Sequence, residues 1–364
     1  MNPCPWLLCT LALLFFSCST SDERMQETTT EDQRVSWRLT TSFPKSLANI
    51  YDPIEEFAER VETLSGGNFS VRVYQAGELV PPLEVFDAVQ QGSVEMGQSA
   101  GVYYMGKNPA FALETGVPFG FSPRQQNAWF YEGGGLEAMQ NVYSKYDIYY
   151  LPVGNTGAQM GGWFRKEINS PEDLKGLTMR ITSLGGRVMS ELGVTVQAIP
   201  GGETFSALEQ GTIDAAEFSG PFDDERLKFY EVAPYYYYPG WWEPGTTIAL
   251  YINMEAWNSL SERYQEIVKI AAKEANLSML TKYDRMNGEA LARMVEQGVQ
   301  LRETNEEVLK QADTATQKVL DELASENEDF RTVYNSWKAH QEATADWFKI
   351  GEFNFQEYLT RHSN

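Results

Sequence analysis

The chain has 364 residues, which is enough for about two domains with sizeable cores, and its 51 acidic and 29 basic side chains give a formal net charge of -22. So large a negative charge disfavours attraction to nucleic acid or to an anionic membrane surface, and we expect no nucleic-acid partner. The cysteines are Cys4, Cys9 and Cys18, and the histidines are His340 and His362. The body of the chain therefore lacks the residues of zinc and iron-sulfur sites, thiol nucleophiles and histidine-based triads.

The N-terminal segment predicts export. Residues 6–16 are almost wholly apolar, too short to span a bilayer but long enough for a secretory signal. Residues 14–18 resemble a bacterial lipobox, whose cysteine, here Cys18, is lipidated and becomes the mature N-terminus; a signal cleaved without lipidation is the alternative. We predict a signal peptide at 1–17 and, because the next segment is polar and Thr-rich, a flexible tether at 18–34. The protein is expected in the periplasm, anchored through its lipidated cysteine.

Beyond the tether, short β-type runs alternate with helical ones, which predicts an α/β fold with helices covering sheets. A serine and a proline at Ser170–Asp173 predict a short helix that ends at Gly176, followed by a strand at Leu177–Ile181. Helical periodicity dominates from Met254 to about Gly351. The first β-type runs are Val35–Thr40, Phe69–Tyr74 and Val94–Gln98.

An internal similarity suggests two related halves. The eleven residues from Val85 align without gaps on those from Thr204, 119 positions later. In both stretches an amphipathic helix leads into a strand through a glycine suited to a left-handed cap, Gly92 or Gly211. Two similar lobes would enclose a ligand cleft. The predicted divisions are lobe I at 35–155 with part of 247–290, lobe II at 156–246, and a helical C-terminal region at 291–364 that packs on the lobes or on a partner subunit.

Five separated motifs occupy the middle of the chain. They are Gln159–Trp163, Asp173–Ile181, Ile199–Glu203, Gly211–Phe218 and Pro239–Gly245. Together they resemble the extracytoplasmic solute-binding proteins of TRAP (tripartite ATP-independent periplasmic) transporters, over roughly residues 35–358. They are most similar to the branch that binds 2-oxo acids such as pyruvate, or lactate, with a metal ion. The resemblance implies a two-lobed periplasmic-binding-protein fold that delivers a small monocarboxylate to the transporter's membrane subunits, and a homodimer is compatible with it.

The resemblance also assigns site residues. Arg180 matches the arginine that holds the substrate carboxylate, a task suited to the planar guanidinium fork. Gln159, Glu217 and the backbone carbonyl of Phe218 match metal ligands, and Glu243 matches a further ligand or neighbouring acid. Hard oxygen donors favour Na+ or Ca2+. Gln159, Phe218 and Glu243 are also expected to contact the substrate. Phe218 stands where this branch has tryptophan, which leaves pocket size and substrate range open.

Aromatic residues near these motifs have two interpretations. Trp163, Phe222 and Trp242 are candidates for an apolar wall of the pocket, and ordinary core packing is the alternative. As a rival function, Glu217 and Glu243 would be the acid/base pair of a glycoside-acting enzyme, beside Trp241 and Trp242 as the tryptophans that stack on the sugar. A receptor for another organic or sugar acid, or a sensor subunit, is a further alternative. The five motifs favour the transporter component, which needs no reaction, so we predict no enzymatic activity.

Overall fold

The computed structural model describes Met1 and residues 34–362. The predicted signal peptide beyond Met1, Cys18 and the tether as far as residue 33 lie outside the described residues. From Arg34 onward the chain forms one compact unit. No helix within the described part is both long and apolar enough to cross a lipid bilayer.

The described residues form two β-sheets. The strands are β1 Val35–Thr41, β2 Phe69–Tyr74, β3 Met96–Ser99, β4 Ile148–Asn155, β5 Trp163–Phe164, β6 Thr178–Arg180, β7 Thr195–Gln197, β8 Ala215–Ala216, β9 Tyr235–Tyr238, β10 Thr247–Asn253 and β11 Gln300–Glu303. The first sheet has the strand order β2-β1-β3-β10-β4, in which β1 runs parallel to β2 and β3, and β10 runs antiparallel to β3 and β4. The second sheet has the order β11-β9-β5-β8-β6-β7.

Helices cover these sheets, and the long helix α10 contacts α1, β4 and α8. Short 3-10 turns at Gly101–Tyr104 and Pro171–Leu174 and a π-helical segment at Lys349–Phe353 complete the elements used below. The helices are α1 Ala48–Leu64, α2 Val85–Gln90, α3 Ala112–Thr115, α4 Pro123–Glu132, α5 Gly135–Tyr143, α6 Ser183–Glu191, α7 Thr204–Glu209, α8 Pro221–Leu227, α9 Met254–Ser259, α10 Glu262–Glu296, α11 Glu306–Glu326, α12 Glu328–Phe348 and α13 Asn354–His362.

The chain passes between the two sheets three times, by two short connections and, from β10 to β11, through α9 and α10. It leaves the first sheet after β4, builds β5 to β9 in the second sheet, and returns as β10. The two connections, residues 156–162 and 239–246, carry the first and last of the five motifs. The lobe boundaries stay a prediction, but the motifs lie where the chain crosses from one sheet to the other.

The internal similarity corresponds to a repeated local structure. Helices α2 and α7 each lead to a glycine with positive φ, Gly92 at 69° and Gly211 at 70°. Strands β3 and β8 follow them. The third β-type run begins at Met96 rather than Val94, because the chain is still turning after Gly92. Glycine is favoured at both caps because the left-handed conformation costs it no steric strain.

The C-terminal region is not purely helical. Helix α10 ends near Gly298, whose φ is 96°, and the chain then forms strand β11. β11 pairs in parallel with β9, so that Gln300 lies opposite Tyr235. The helical pattern of the surrounding sequence hid this short strand, which forms because the edge of the tyrosine-rich strand β9 offers it backbone hydrogen-bond partners.

The acidic side chain of Glu114 is buried away from the cavity-forming motifs. Glu114 in α3 is fully buried, and its Oε1 accepts a hydrogen bond of 3.3 Å from the hydroxyl of Tyr251. The Tyr251 hydroxyl lies 3.3 Å from that of Tyr143. Burial raises the pKa of Glu114 to about 8, against the hydrogen bonds from its tyrosine neighbours, so this carboxyl group is neutral at pH 7.

We expect Glu114→Gln to remove a pH-dependent loss of stability. The folded carboxyl group keeps its proton up to about pH 8, whereas an exposed glutamate, with a pKa of 4.5, releases it. The folded state thus binds more protons between these values, and the free energy of unfolding falls as the pH rises through that window. Denaturant unfolding from about pH 5 to about pH 9 should show the wild type losing roughly 2–4 kcal/mol relative to the variant. Parallel curves would contradict a neutral Glu114.

Candidate ligand and metal site

A cavity of about 30 Å³ lies where the inter-sheet connections meet the ends of β6 and β8. Arg180 ends β6, and the parallel neighbour β8 places Ala216 opposite it. Because the carboxyl ends of parallel strands meet at one edge of a sheet, Glu217 follows directly beside Arg180. Gln159 comes from the first connection and Glu243 from the second. The structure therefore brings together all four of these predicted residues, which are at most 7% exposed.

Arg180 is held rigidly in this cavity. Its Nε donates to the carbonyl oxygen of Ile199 at 3.0 Å, and its Nη1 donates both to the carbonyl oxygen of Glu217 and, at 3.1 Å, to Glu217 Oε2. Both side chains of this ion pair are 2% exposed. A buried, oriented guanidinium is a strong recognition group for a carboxylate because it is planar, always charged and preorganised.

Gln159 is oriented by two threonines. Its Nε2 donates to Thr156 Oγ1 at 3.1 Å and to Thr246 Oγ1 at 2.5 Å. Thr246 Oγ1 in turn donates to Glu243 Oε2 at 2.8 Å. Both amide protons are thereby used, while the buried Gln159 Oε1 has no hydrogen-bond partner among the described residues. An unpartnered buried amide oxygen next to two carboxylates fits the coordination of a hard cation.

The electrostatics of the cavity also favour a cation. Burial raises the pKa of Glu217 well above its usual range, the neighbouring carboxylate of Glu243 raises it further, and Arg180 opposes both. Ionising both acids is therefore unfavourable without a further positive charge, because two buried negative charges would face one guanidinium and an anionic ligand would add a third. Sodium or calcium would offset this excess, and the oxygen donors of Gln159, Glu217, Glu243 and the Phe218 carbonyl suit either ion.

The oxygen donors predicted for a metal are mixed in kind. Within the described ranges no cluster of three or more His, Cys, Asp or Glu side chains is arranged to hold a metal ion. The predicted donor set instead combines two carboxylates with an amide oxygen and a backbone carbonyl. Such hard, mixed donors are typical of Na+ and Ca2+ and unlike the thiolate and imidazole sets of zinc or copper.

The sequence interpretation missed several residues of the cavity, among them two threonines and a tyrosine. Thr156 and Thr246, which orient Gln159, lie just outside the first and last motifs, and a threonine in a loop carries no distinctive signal. Tyr103 comes from the 3-10 turn in the first half of the chain. Burial raises the pKa of its hydroxyl, while the Arg180 guanidinium, to which it is hydrogen-bonded, lowers it. Tyr103 thus adds a polar hydroxyl group to the cavity beside the guanidinium of Arg180.

Phe218 lines both this cavity and a neighbouring one of about 150 Å³. Phe43, Tyr103 and Phe218 line both cavities. The Phe218 ring centroid lies 5.4 Å from the Arg180 guanidinium carbon. A Cβ at Gly201 would lie 2.3 Å from Phe218 Cε2, so the ring needs a glycine beside it. The phenylalanine that stands in place of the expected tryptophan is therefore a wall of the cavity that contains Arg180.

Comparison with known proteins decides the family. The sequence-family model for bacterial extracellular solute-binding proteins, family 7 (DctP), matches residues 41–327. This chain belongs to the DctP family. A relative from Nostoc sp., described as a monocarboxylate 2-oxoacid-binding periplasmic protein, is 49% identical over 326 residues, which cover 90% of this chain and 89% of the relative.

Solved structures of DctP-type proteins share the fold. A TRAP solute-binding protein from Bordetella bronchiseptica, a dimer with copurified calcium and picolinate, has a TM-score of 0.89 and 44% identity, covering 91% of this chain and 98% of that one. One from Colwellia psychrerythraea, with calcium and pyruvate, has a TM-score of 0.87 and 37% identity, covering 90% and 100%. One from Pseudoalteromonas atlantica, with sodium and pyruvate, has the same TM-score and identity, covering 89% and 99%. The predicted TRAP solute-binding family and the predicted periplasmic-binding-protein-like α/β fold are confirmed.

The aromatic residues that line the cavity of this DctP protein differ from the three that the sequence suggested, Trp163, Phe222 and Trp242. Trp163 is fully buried, stacks on Tyr236 with ring centroids 3.9 Å apart, and donates its indole N–H to Asp224 at 2.9 Å. Trp242 lines a separate cavity of about 20 Å³. Neither these tryptophans nor Phe222 line the cavity that contains Arg180; the aromatic walls there are Phe43, Tyr103 and Phe218. Large aromatics near the motifs pack the core because burying them contributes most to stability there.

Proposed function

We propose that this chain is a TRAP-transporter receptor that binds a small 2-oxo or 2-hydroxy monocarboxylate together with Na+ or Ca2+. One observation carries the proposal: a buried, preorganised Arg180 lies in the same small cavity as the carboxylates of Glu217 and Glu243 and the unpartnered oxygen of Gln159. A guanidinium for the ligand carboxylate and hard oxygens for a cation are both needed to recognise such an acid.

Each residue has a distinct role in the proposed site. Arg180 binds the ligand carboxylate, and Tyr103 supplies a further polar contact. Gln159, Glu217, Glu243 and the carbonyl of Phe218 would hold the cation. When bound, the cation supplies positive charge and a coordination position for the 2-oxo or 2-hydroxyl oxygen, which favours 2-substituted acids over acetate.

The relatives support the same ligand class. The Nostoc relative is described as binding monocarboxylate 2-oxo acids, and two of the similar structures contain pyruvate with calcium or with sodium. The Bordetella protein is a dimer. We accordingly propose pyruvate-like acids as ligands, the TRAP membrane subunits as the recipients of the ligand, and a second copy of this chain as a partner.

The ligand can be identified directly. Native mass spectrometry of the purified protein should detect a copurified small monocarboxylate, and calorimetry should then rank pyruvate and lactate above acetate. A sugar acid such as glucuronate serves as the control for a larger carboxylate. Tighter binding of the sugar acid than of either small acid would contradict the proposed ligand class.

We also propose that the protein releases its ligand unchanged. The enzymatic alternative needs tryptophan faces that are open to a sugar. Trp241 instead stacks on Phe119 with ring centroids 5.1 Å apart, and Trp241 and Trp242 are 4% and 3% exposed. Nuclear magnetic resonance of the ligand, and of a panel of glycosides, after prolonged incubation with the protein should show no product. Any turnover that is lost in Glu217→Gln would instead support catalysis.

Anchoring through Cys18 is a further part of the proposal, which rests on the similarity of residues 14–18 to a lipobox. Cys18→Ala should move the protein from the membrane fraction to a soluble or unprocessed form, because a single residue carries the lipid attachment. Fractionation followed by immunoblotting measures this shift, with Ser19→Ala as the matched control. Unchanged membrane recovery of the Cys18 variant would exclude lipid anchoring at this position.

A further inference from the structure

Three of the four predicted cation donors lie in two segments that are neither strand nor helix. Gln159 belongs to residues 156–162, between β4 and β5, whereas Glu217 and Phe218 belong to residues 217–220, between β8 and α8. These two stretches are called the donor segments below. A cation is held by donors at set distances, so the contacts that fix the backbone of the donor segments matter for its binding.

Helix α10 fixes the start of α8, directly after the second donor segment. Asn287 Oδ1 accepts a hydrogen bond from the backbone N–H of Phe222 at 3.0 Å. The hydroxyl of Tyr283 donates to Asp223 Oδ2, and both of these side chains are fully buried. A Cβ at Gly220 would lie 2.9 Å from Asn287 Nδ2, so the backbone passes directly against the asparagine. Tyr283 and Asn287 are four positions apart and therefore lie on one face of α10.

The first donor segment lies against the same part of α10. Gly157, two positions before Gln159, has a φ of 74°, and a Cβ there would lie 3.6 Å from Tyr283 Cβ. The backbone N–H of Met160 donates to the carbonyl oxygen of Ser219 at 3.2 Å, which joins one donor segment to the other. Both donor segments are thus held near Tyr283 and to each other.

Helix α10 relates the two donor segments because it contacts both β4 and α8. On another side of α8, Asp224 Oδ2 accepts hydrogen bonds from Trp163 Nε1 at 2.9 Å and from the Tyr236 hydroxyl at 2.6 Å, which fix α8 to the second sheet. The contacts from α10 add a link to β4, which leads into the first donor segment. The spacing between the donor segments therefore depends on α10 as well as on the second sheet.

We propose that Tyr283 and Asn287 are positioning residues, which hold the two donor segments in the arrangement that binds the cation. The inference rests on the proposed function, because it takes the donor segments to bind Na+ or Ca2+. Neither Tyr283 nor Asn287 lines the cavity that contains Arg180, so both act through the backbone that they contact. Removing an outer contact of this kind typically lowers metal affinity by roughly 10- to 100-fold.

Calorimetric titration of calcium into metal-free protein, without any acid, tests the proposal. Tyr283→Phe and Asn287→Ala should each raise the calcium dissociation constant by roughly 10-fold or more, because a donor segment loses a contact that fixes it. Tyr131→Phe and Asn276→Ala are the matched controls, since Asn276 of α10 donates to the Tyr131 hydroxyl of α4 at 3.1 Å. Both controls should lower the thermal stability of the metal-free protein and keep the calcium affinity of the wild type.

Two further measurements separate positioning from a general loss of structure. Hydrogen exchange in the metal-free protein should be faster at residues 217–222 in the Tyr283 and Asn287 variants, and unchanged there in the controls. The affinity of these two variants for pyruvate should fall at low calcium and return to the wild-type value at saturating calcium, because the acid and the cation are thermodynamically linked.

The outcomes distinguish this inference from the proposed function. Wild-type calcium affinity in both the Tyr283 and Asn287 variants would overturn the positioning role and leave the proposed function intact. An equal loss of calcium affinity in the controls would also overturn it, since a general weakening of α10 packing would then be enough. A wild type that binds neither calcium nor sodium would overturn the proposed function and this inference together.

Discussion

Replacing Arg180 by alanine is expected to weaken binding of a small 2-oxo or 2-hydroxy monocarboxylate by roughly 2–5 kcal/mol, because the ligand carboxylate loses its charged partner in a desolvated cavity. Arg180 is 2% exposed and is held by Ile199 and Glu217, so its orientation is fixed before the ligand arrives. Arg180→Lys should recover only part of the affinity, because an ammonium group cannot reproduce the planar fork.

Calorimetric titration with pyruvate and lactate measures this effect. Arg187→Ala removes an exposed arginine from α6, outside the ligand cavity, and is the matched control. Arg180→Ala also deprives buried Glu217 of its ion-pair partner, so thermal unfolding without ligand must be measured in parallel to separate stability from binding. Wild-type affinity in the folded alanine variant would remove Arg180 from the site.

Binding is expected to depend on Na+ or Ca2+, with affinity for pyruvate falling roughly 100-fold in protein stripped of metal. With Glu217 and Glu243 ionised, two buried carboxylates face Arg180, and a bound acid would add a third negative charge. A sodium ion removes one unit of this excess and a calcium ion removes two. The cation also coordinates the 2-oxo oxygen, so the preference for pyruvate over acetate should disappear with it.

Titrations in choline, sodium and calcium salts measure this dependence. Glu217→Gln should weaken the cation and the acid together, since two ligands that favour each other's binding are thermodynamically linked. Glu203→Gln makes the same change at an exposed acid of the neighbouring cavity of about 150 Å³ and should alter neither. Equal affinity for pyruvate in all three salts would show that Arg180 holds the carboxylate without a metal.

Much of the local structure was readable from the sequence. The helices that begin at Val85 and Thr204, and the left-handed glycines after them, follow from short-range sterics and hydrophobic periodicity, which neighbouring residues determine. The five motifs likewise identified the family and the kinds of donor, a guanidinium and hard oxygens. These are properties of residue type and near-neighbour spacing, so they need no knowledge of the fold.

Only the tertiary structure decided which of these groups meet. Gln159, Arg180, Glu217 and Glu243 come together because β6 and β8 lie side by side and both inter-sheet connections pass their ends. The same crossing brings Tyr103, from a distant turn, against Arg180. Trp163 and Trp242 lie outside the cavity, although both belong to the motifs. Strand β11, which follows the long helix α10, pairs with β9 of the second sheet. Such contacts join residues far apart in sequence and depend on the path of the whole chain, which local patterns do not encode.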